Sequence, residues 1–245
     1  MVYFVSIFWG LVSLILAKLT LHSYAPCIFI RLNYPGLHKK TDLKEDGFFQ
    51  QKKTEYISQS IFIKNKFLLS SLLITAFVFG LLSGICTELY GYTVLGTVKR
   101  FLIFEVLLIA LITDVEFSII PNMCPFLLMV FGVVFNILNF VLGNPESFKI
   151  LINGFCTTII CFLFLIIVNK ISHSGIGAGD IKLLSCLGFL CGIRVTLFTL
   201  FFSFLFCAVF SIVLLIAKKK KMKDSLQLAP FIFFGFIATI FLAIV

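Results

Sequence analysis

Charge is scarce in this chain. Only 13% of its 245 residues are Asp, Glu, Lys or Arg, against 60% hydrophobic, and no polar stretch is long enough to form a soluble domain of ordinary size. A soluble enzyme is excluded. C-x-x-C pairs are absent as well: the eight cysteines (Cys27, Cys86, Cys124, Cys156, Cys161, Cys186, Cys191 and Cys207) never take that spacing, and all but Cys27 sit in or at the edges of apolar runs. They read as small apolar packing residues, which argues against a disulfide framework or a thiolate zinc site. The first apolar run, 2–21, has no charged flank before it and no small-residue cleavage site after it, so it reads as a retained helix. No internal repeat is visible.

What is present is a series of membrane-length apolar runs, giving an all-α fold: a polytopic membrane helix bundle of about eight transmembrane helices. The expected spans are 2–21, 67–86, 101–120, 123–142, 150–168, a short span from 183, a full span ending near 217, and 226–245. The run 183–217 is too long for one crossing, since 35 residues at ~1.5 Å each make about 52 Å against a ~30 Å hydrocarbon core. Cys191-Gly192-Ile193-Arg194 is where it is expected to break.

The net charge of +9 does not imply nucleic acid, because the basic residues fall in loops, where they orient a membrane protein. The polar stretch 22–66 carries eight Lys or Arg against four acids and is assigned to the cytoplasm, as is the lysine cluster at 218–223. This topology leaves only Lys99, Arg100, Lys149 and Arg194 outside, so 16 of the 20 basic residues face the cytoplasm. Two domains are expected: 1–66, the first helix with its basic loop, and 67–245, the membrane-embedded remainder.

The same topology brings two acids to one face of the membrane. Asp114 lies in L-I-T-D-V-E-F-S-I-I-P-N, and Asp180 ends the glycine-rich turn S-G-I-G-A-G-D. Two carboxylates in a low-dielectric setting cannot easily ionise together, and a pair sharing one proton can activate water and polarise a carbonyl. Gly175, Gly177 and Gly179 keep the backbone before Asp180 open, so an extended substrate segment is expected to lie beside it. Lys182 reads as a solvated charge or as a group that sets the charge state of the pair. Pro121 stops one helix and Asn122 caps the next. Glu116 reads as an interfacial charge, and Glu105 as a partner of Arg100 or Lys99.

The stretches 114–122 and 175–189, with A-P-F-I-F-F-G at 229–235, closely resemble the signature segments of the type IV prepilin peptidase family. The likeness runs in order from about residue 67 to the C-terminus. It implies an aspartic endopeptidase with Asp114 and Asp180 as catalytic residues and Pro230 shaping the site. Its substrates would be prepilins or pseudopilins, whose basic leaders it removes at the cytoplasmic face of a bacterial cell (inner) membrane. Proteolysis needs no cofactor.

Many family members also methylate the new N-terminus with S-adenosylmethionine, using a loop that holds two C-x-x-C pairs on zinc. Here that loop has only Cys27. No zinc is expected, and S-adenosylmethionine enters only if a donor site is built from other residues. Membrane lipid is the other expected partner; oligomeric state is not readable. Two alternatives stay open: a presenilin-like intramembrane protease, which shares G-x-G-D, and a non-enzymatic transporter using Asp114 and Asp180 as an ion or proton site.

Overall fold

The computed structural model describes residues 94–172, 176–216 and 227–242, together with Leu11, Ile15, Ile74, Phe77, Val78 and Gly80. The chain divides into two compact units, Met1–Gly91 and Tyr92–Val245. The second contains five helices: α1 (Val94–Phe117), α2 (Met123–Val141), α3 (Ser147–Ile171), α4 (Ala178–Ile216) and α5 (Ala229–Phe241). No strand occurs among the described residues. Lipid explains the uniformity, because a helix satisfies its backbone polar groups within itself where no water is available to do so.

By length and composition, α2, α3 and α4 can each cross a membrane. Their outward faces carry large exposed apolar side chains such as Phe126, Phe155, Phe162 and Phe201. α5 is apolar but has only 13 residues. α1 is long enough, at 24 residues, yet it includes Lys99, Arg100, Glu105, Asp114 and Glu116. Instead of facing lipid, it is buried on every side of its middle turns, with Ile103, Phe104, Leu107, Leu108 and Ala110 almost fully covered. The first two expected spans, 2–21 and 67–86, and the basic loop 22–66 lie outside the described residues apart from the isolated positions named above.

Helix ends differ from the sequence expectation in instructive ways. α1 stops at Phe117, four residues before Pro121, because Ser118 takes a left-handed conformation (φ 54°) that closes the helix as a C-terminal residue does. The turn after it is held by Cys124 N–H to Pro121 O at 3.0 Å and Phe126 N–H to Asn122 O at 3.2 Å. Between α2 and α3, Ser147 Oγ donates to Asn144 O at 2.6 Å, and Asn144 Oδ1 accepts from Glu146 N–H at 3.1 Å, forming a tight polar turn. α4 begins at Ala178, so Asp180 sits in its first turn.

α4 organises this unit, packing against α2, α3 and α5. It is not one rod. Gly192 adopts φ 77° and ψ 176°, a conformation open to glycine and costly for other residues, so the helix breaks at the expected place. Close packing on either side uses small residues. Gly132 meets the Phe189 ring, Gly154 meets the Phe189 carbonyl, and on the second half Gly235 of α5 lies against Ser203 and the Thr199 carbonyl. Thr199 Oγ1 also donates to Thr239 Oγ1 at 3.3 Å, a polar tie between α4 and α5.

A Cβ on Gly235 would fall 2.8 Å from both the Ser203 amide nitrogen and the Thr199 carbonyl oxygen, rigid backbone atoms that cannot move aside. Gly235→Leu is expected to force α5 off α4 and to lower stability by at least about 1–3 kcal/mol. Thermal melting of the detergent-solubilised protein would read this, and an unchanged midpoint would show that the helices are not packed as described.

Candidate active site

Asp114 lies in the last turn of α1 and is 6% exposed. Its Oδ2 accepts a hydrogen bond from the Ala229 backbone N–H at 3.2 Å, across 115 residues of sequence. Ala229 is the first residue of α5, whose preceding residue, Leu228, has no side-chain cap to offer. The first N–H groups of any helix lack intrahelical acceptors, and here a carboxylate from another helix supplies one. Pro230 follows, where its missing N–H removes a donor that the helix start would otherwise leave unpaired.

Asp180 is held by the same physics at a second helix start. Gly177 precedes α4 and Asp180 is the third helical residue, the position from which a carboxylate can reach back to the N-cap amide. The Gly177 backbone does hydrogen-bond the Asp180 carboxylate. Glycine at 177 matters for a further reason: a Cβ there would sit 2.9 Å from Asp180 Oδ2, and one on Gly179 would sit 3.0 Å from Ile120 Cβ. A side chain at 177 therefore displaces the acid itself, and one at 179 pries α4 from the segment that follows Asp114.

The two acids are electrostatic neighbours, with the charge of Asp114 acting on Asp180. Each leans on the positive end of a helix dipole. Asp180 Oδ1, by contrast, is buried and has no hydrogen-bond partner among the described residues.

Other expected residues fall nearby in different roles. Asn122 precedes α2 but makes no side-chain cap; its Oδ1 accepts a long, 3.4 Å bond from Lys182 Nζ. Its backbone is already helical (φ −60°, ψ −14°), unlike the extended conformation from which a side chain caps. Lys182 is exposed and its amine rests on Asn122. Pro121 is half-buried in the same turn. Gly175 and the side chain of Glu116 lie outside the described residues. Glu105 is buried, and neither of its oxygens finds a hydrogen-bond donor among the described residues, so pairing with Lys99 or Arg100 is not what accommodates it.

Three neighbours were not legible in the sequence. Gln227 Nε2 donates to Ser118 Oγ at 2.9 Å, tying the approach to α5 to the end of α1. Cys207, on the second half of α4, lies within the electrostatic reach of Asp180. The Ala229 amide is the third. Its A-P-F context marks the region, but a backbone donor leaves no side-chain signature. No cluster of three or more His, Cys, Asp or Glu that could hold a metal occurs among the described residues.

Residues 101–212 match the family model described as the type IV leader peptidase family. The chain is also 29% identical over 166 residues to the prepilin leader peptidase/N-methyltransferase of Bacillus subtilis (strain 168). That match covers 66% of this chain and 61% of the relative. No solved structure matches the chain.

The Ala229 amide makes a structural prediction that needs no assay of function. Asp114→Asn keeps an acceptor for it, whereas Asp114→Ala leaves a buried donor unsatisfied, at a cost of about 1–3 kcal/mol. Thermal melts should rank wild type and Asp114→Asn together and Asp114→Ala clearly below; equal midpoints for the two variants would mean that the bond does not form.

Proposed function

Because residues 101–212 match the model of the type IV leader peptidase family, we propose that the chain is an aspartic endopeptidase that cleaves prepilin-type leaders with Asp114 and Asp180. The observation that carries this reading is that each acid is held by a backbone amide at a helix start, Asp114 from the end of α1 at the start of α5 and Asp180 at the start of α4, with the charge of Asp114 acting on Asp180.

In the proposed reaction one acid is ionised and the other protonated. The ionised carboxylate takes a proton from water as the hydroxyl oxygen adds to the scissile carbonyl carbon, and the protonated acid gives its proton to the carbonyl oxygen. Collapse of the tetrahedral intermediate breaks the C–N bond. The amine leaves with the proton that the first carboxylate had taken, and the hydroxyl proton returns to the second. Asp180 Oδ1, buried with no donor on it, suits the contact with water. The amides on Asp114 and Asp180 keep both side chains in place through the cycle, which limits the reorganisation needed in the transition state.

The substrate enters from the cytoplasmic side, a placement supported by the excess of Lys and Arg in the loops assigned to that face. The enzyme acts in a bacterial cell membrane, on prepilins or pseudopilins with basic leaders. Methylation is left out of this activity: the 22–66 loop offers only Cys27, so the four-thiolate zinc staple of bifunctional family members has no ligands there, and an S-adenosylmethionine site would need other residues.

Co-expression with a prepilin tests this directly. The intact mass of the pilin should show the leader removed by wild type, with removal slowed by about 10²–10⁴-fold in both Asp114→Asn and Asp180→Asn. Gly177→Val should insert in the membrane and fail to cleave, because its side chain displaces the Asp180 carboxylate. Cleavage that persists in either Asp variant would overturn the aspartic mechanism.

A further inference from the structure

Asn169 lies in the last turn of α3, on a base that does not fray: Ser172 N–H, just beyond the helix, still donates to Val168 O at 2.8 Å. The Asn169 side chain is half-buried, and its Oδ1 accepts from the Ile176 backbone N–H at 3.0 Å. Two other asparagines, Asn136 and Asn139 of α2, turn their side-chain amides back onto their own helix, donating to Gly132 O at 2.7 Å and Phe135 O at 2.9 Å. Asn169 reaches forward instead, beyond the end of α3 to the residues that open α4.

What it reaches adjoins the site directly. Gly177 follows Ile176, and the Gly177 backbone hydrogen-bonds the Asp180 carboxylate. Peptide groups are planar, so the N–H of Ile176 and the N–H of Gly177 belong to the two rigid planes that flank the Ile176 Cα. Asn169 holds one plane and Asp180 the other. Together they fix the two soft dihedrals of Ile176, and with them the direction in which α4 starts. The other side of that start is braced as well, since a Cβ on Gly179 would come within 3.0 Å of Ile120 Cβ. Further along, Gly188 of α4 closes on Thr157 of α3, about 18 Å from Asn169 at ~1.5 Å per residue. The first half of α4 is therefore attached to α3 at two levels, and the one nearer the acids is Asn169.

We propose that Asn169 is a positioning residue for Asp180: by holding the Ile176 amide, it keeps Gly177, and the carboxylate bonded to it, in the geometry that the reaction with Asp114 requires. This rests on the peptidase reading. Asn169 acts through a neutral acceptor, so it orients the acid without adding a charge beside the pair. Its loss loosens the acid and not the substrate, and a misplacement on the order of 1 Å costs about 10²-fold in rate.

Asn169→Leu, which fills similar space without an acceptor, and Asn169→Asp, which restores one, test this. In the Leu variant kcat for a prepilin is expected to fall about 10–100-fold, with KM within about 2-fold of wild type, and the Asp variant is expected to recover most of the rate. Amide hydrogen exchange across residues 176–180, read by mass spectrometry on the solubilised protein, should be faster in the Leu variant and slow again in the Asp variant. Unchanged exchange in the Leu variant would show that the bond is not made and would overturn the proposal whatever the kinetics. So would a raised KM at unchanged kcat, or a slow Leu variant that Asp does not rescue, which marks a purely structural role. Wild-type protein that fails to cleave ends the peptidase reading and this role with it. Equal cleavage by wild type and the Leu variant ends the positioning role alone.

Discussion

Both acids in this protein are held by the orphan amides at the start of a helix. That constraint fixes much else. The first N–H groups of a helix need acceptors, and an apolar bundle has few side chains to supply them. Asp114 and Asp180 meet that need for α5 and α4, and the same bonds set where the carboxylates point. Capping and site geometry are thus one interaction. α1 must end where it does, with Ser118 turning the chain away, so that Asp114 is in its last turn and can reach across to Ala229.

Small residues let the helices come close enough for this. Gly132 and Gly154 both close on Phe189, and Gly235 closes on the backbone of α4. Without a hydrophobic drive between helices in lipid, such close packing and ties like Thr199 to Thr239 hold the bundle together. The break at Gly192 has a matching role. It lets one long apolar stretch contribute Asp180 at its start and, further along, Cys207 within electrostatic reach of that acid.

The apolar runs and their punctuation were readable because lipid leaves the chain few options. All-helical character, the break near Gly192, and the approximate ends of α2 and α3 follow from run length and from where Gly, Pro and Asn fall. Asp114 and Asp180 stood out because charge in such a setting is expensive. What could not be read is what depends on contact across the bundle. The Ala229 amide, Gln227 against Ser118, and Cys207 near Asp180 have no local pattern. Asn122 was expected to cap α2, and its side chain instead accepts from Lys182, 60 residues away. Glu105 looked like half of an ion pair because two cations sit near it in sequence, but its oxygens face no donor among the described residues.

The bond between Ala229 and Asp114 spans 115 residues, and it gives the molecule a clock. α1 is made and inserted long before α5 leaves the ribosome, so throughout synthesis Asp114 lacks the amide that orients it. The site can be completed only when the last described helix arrives. A nascent or truncated chain holds both acids yet lacks the geometry that joins them to α5.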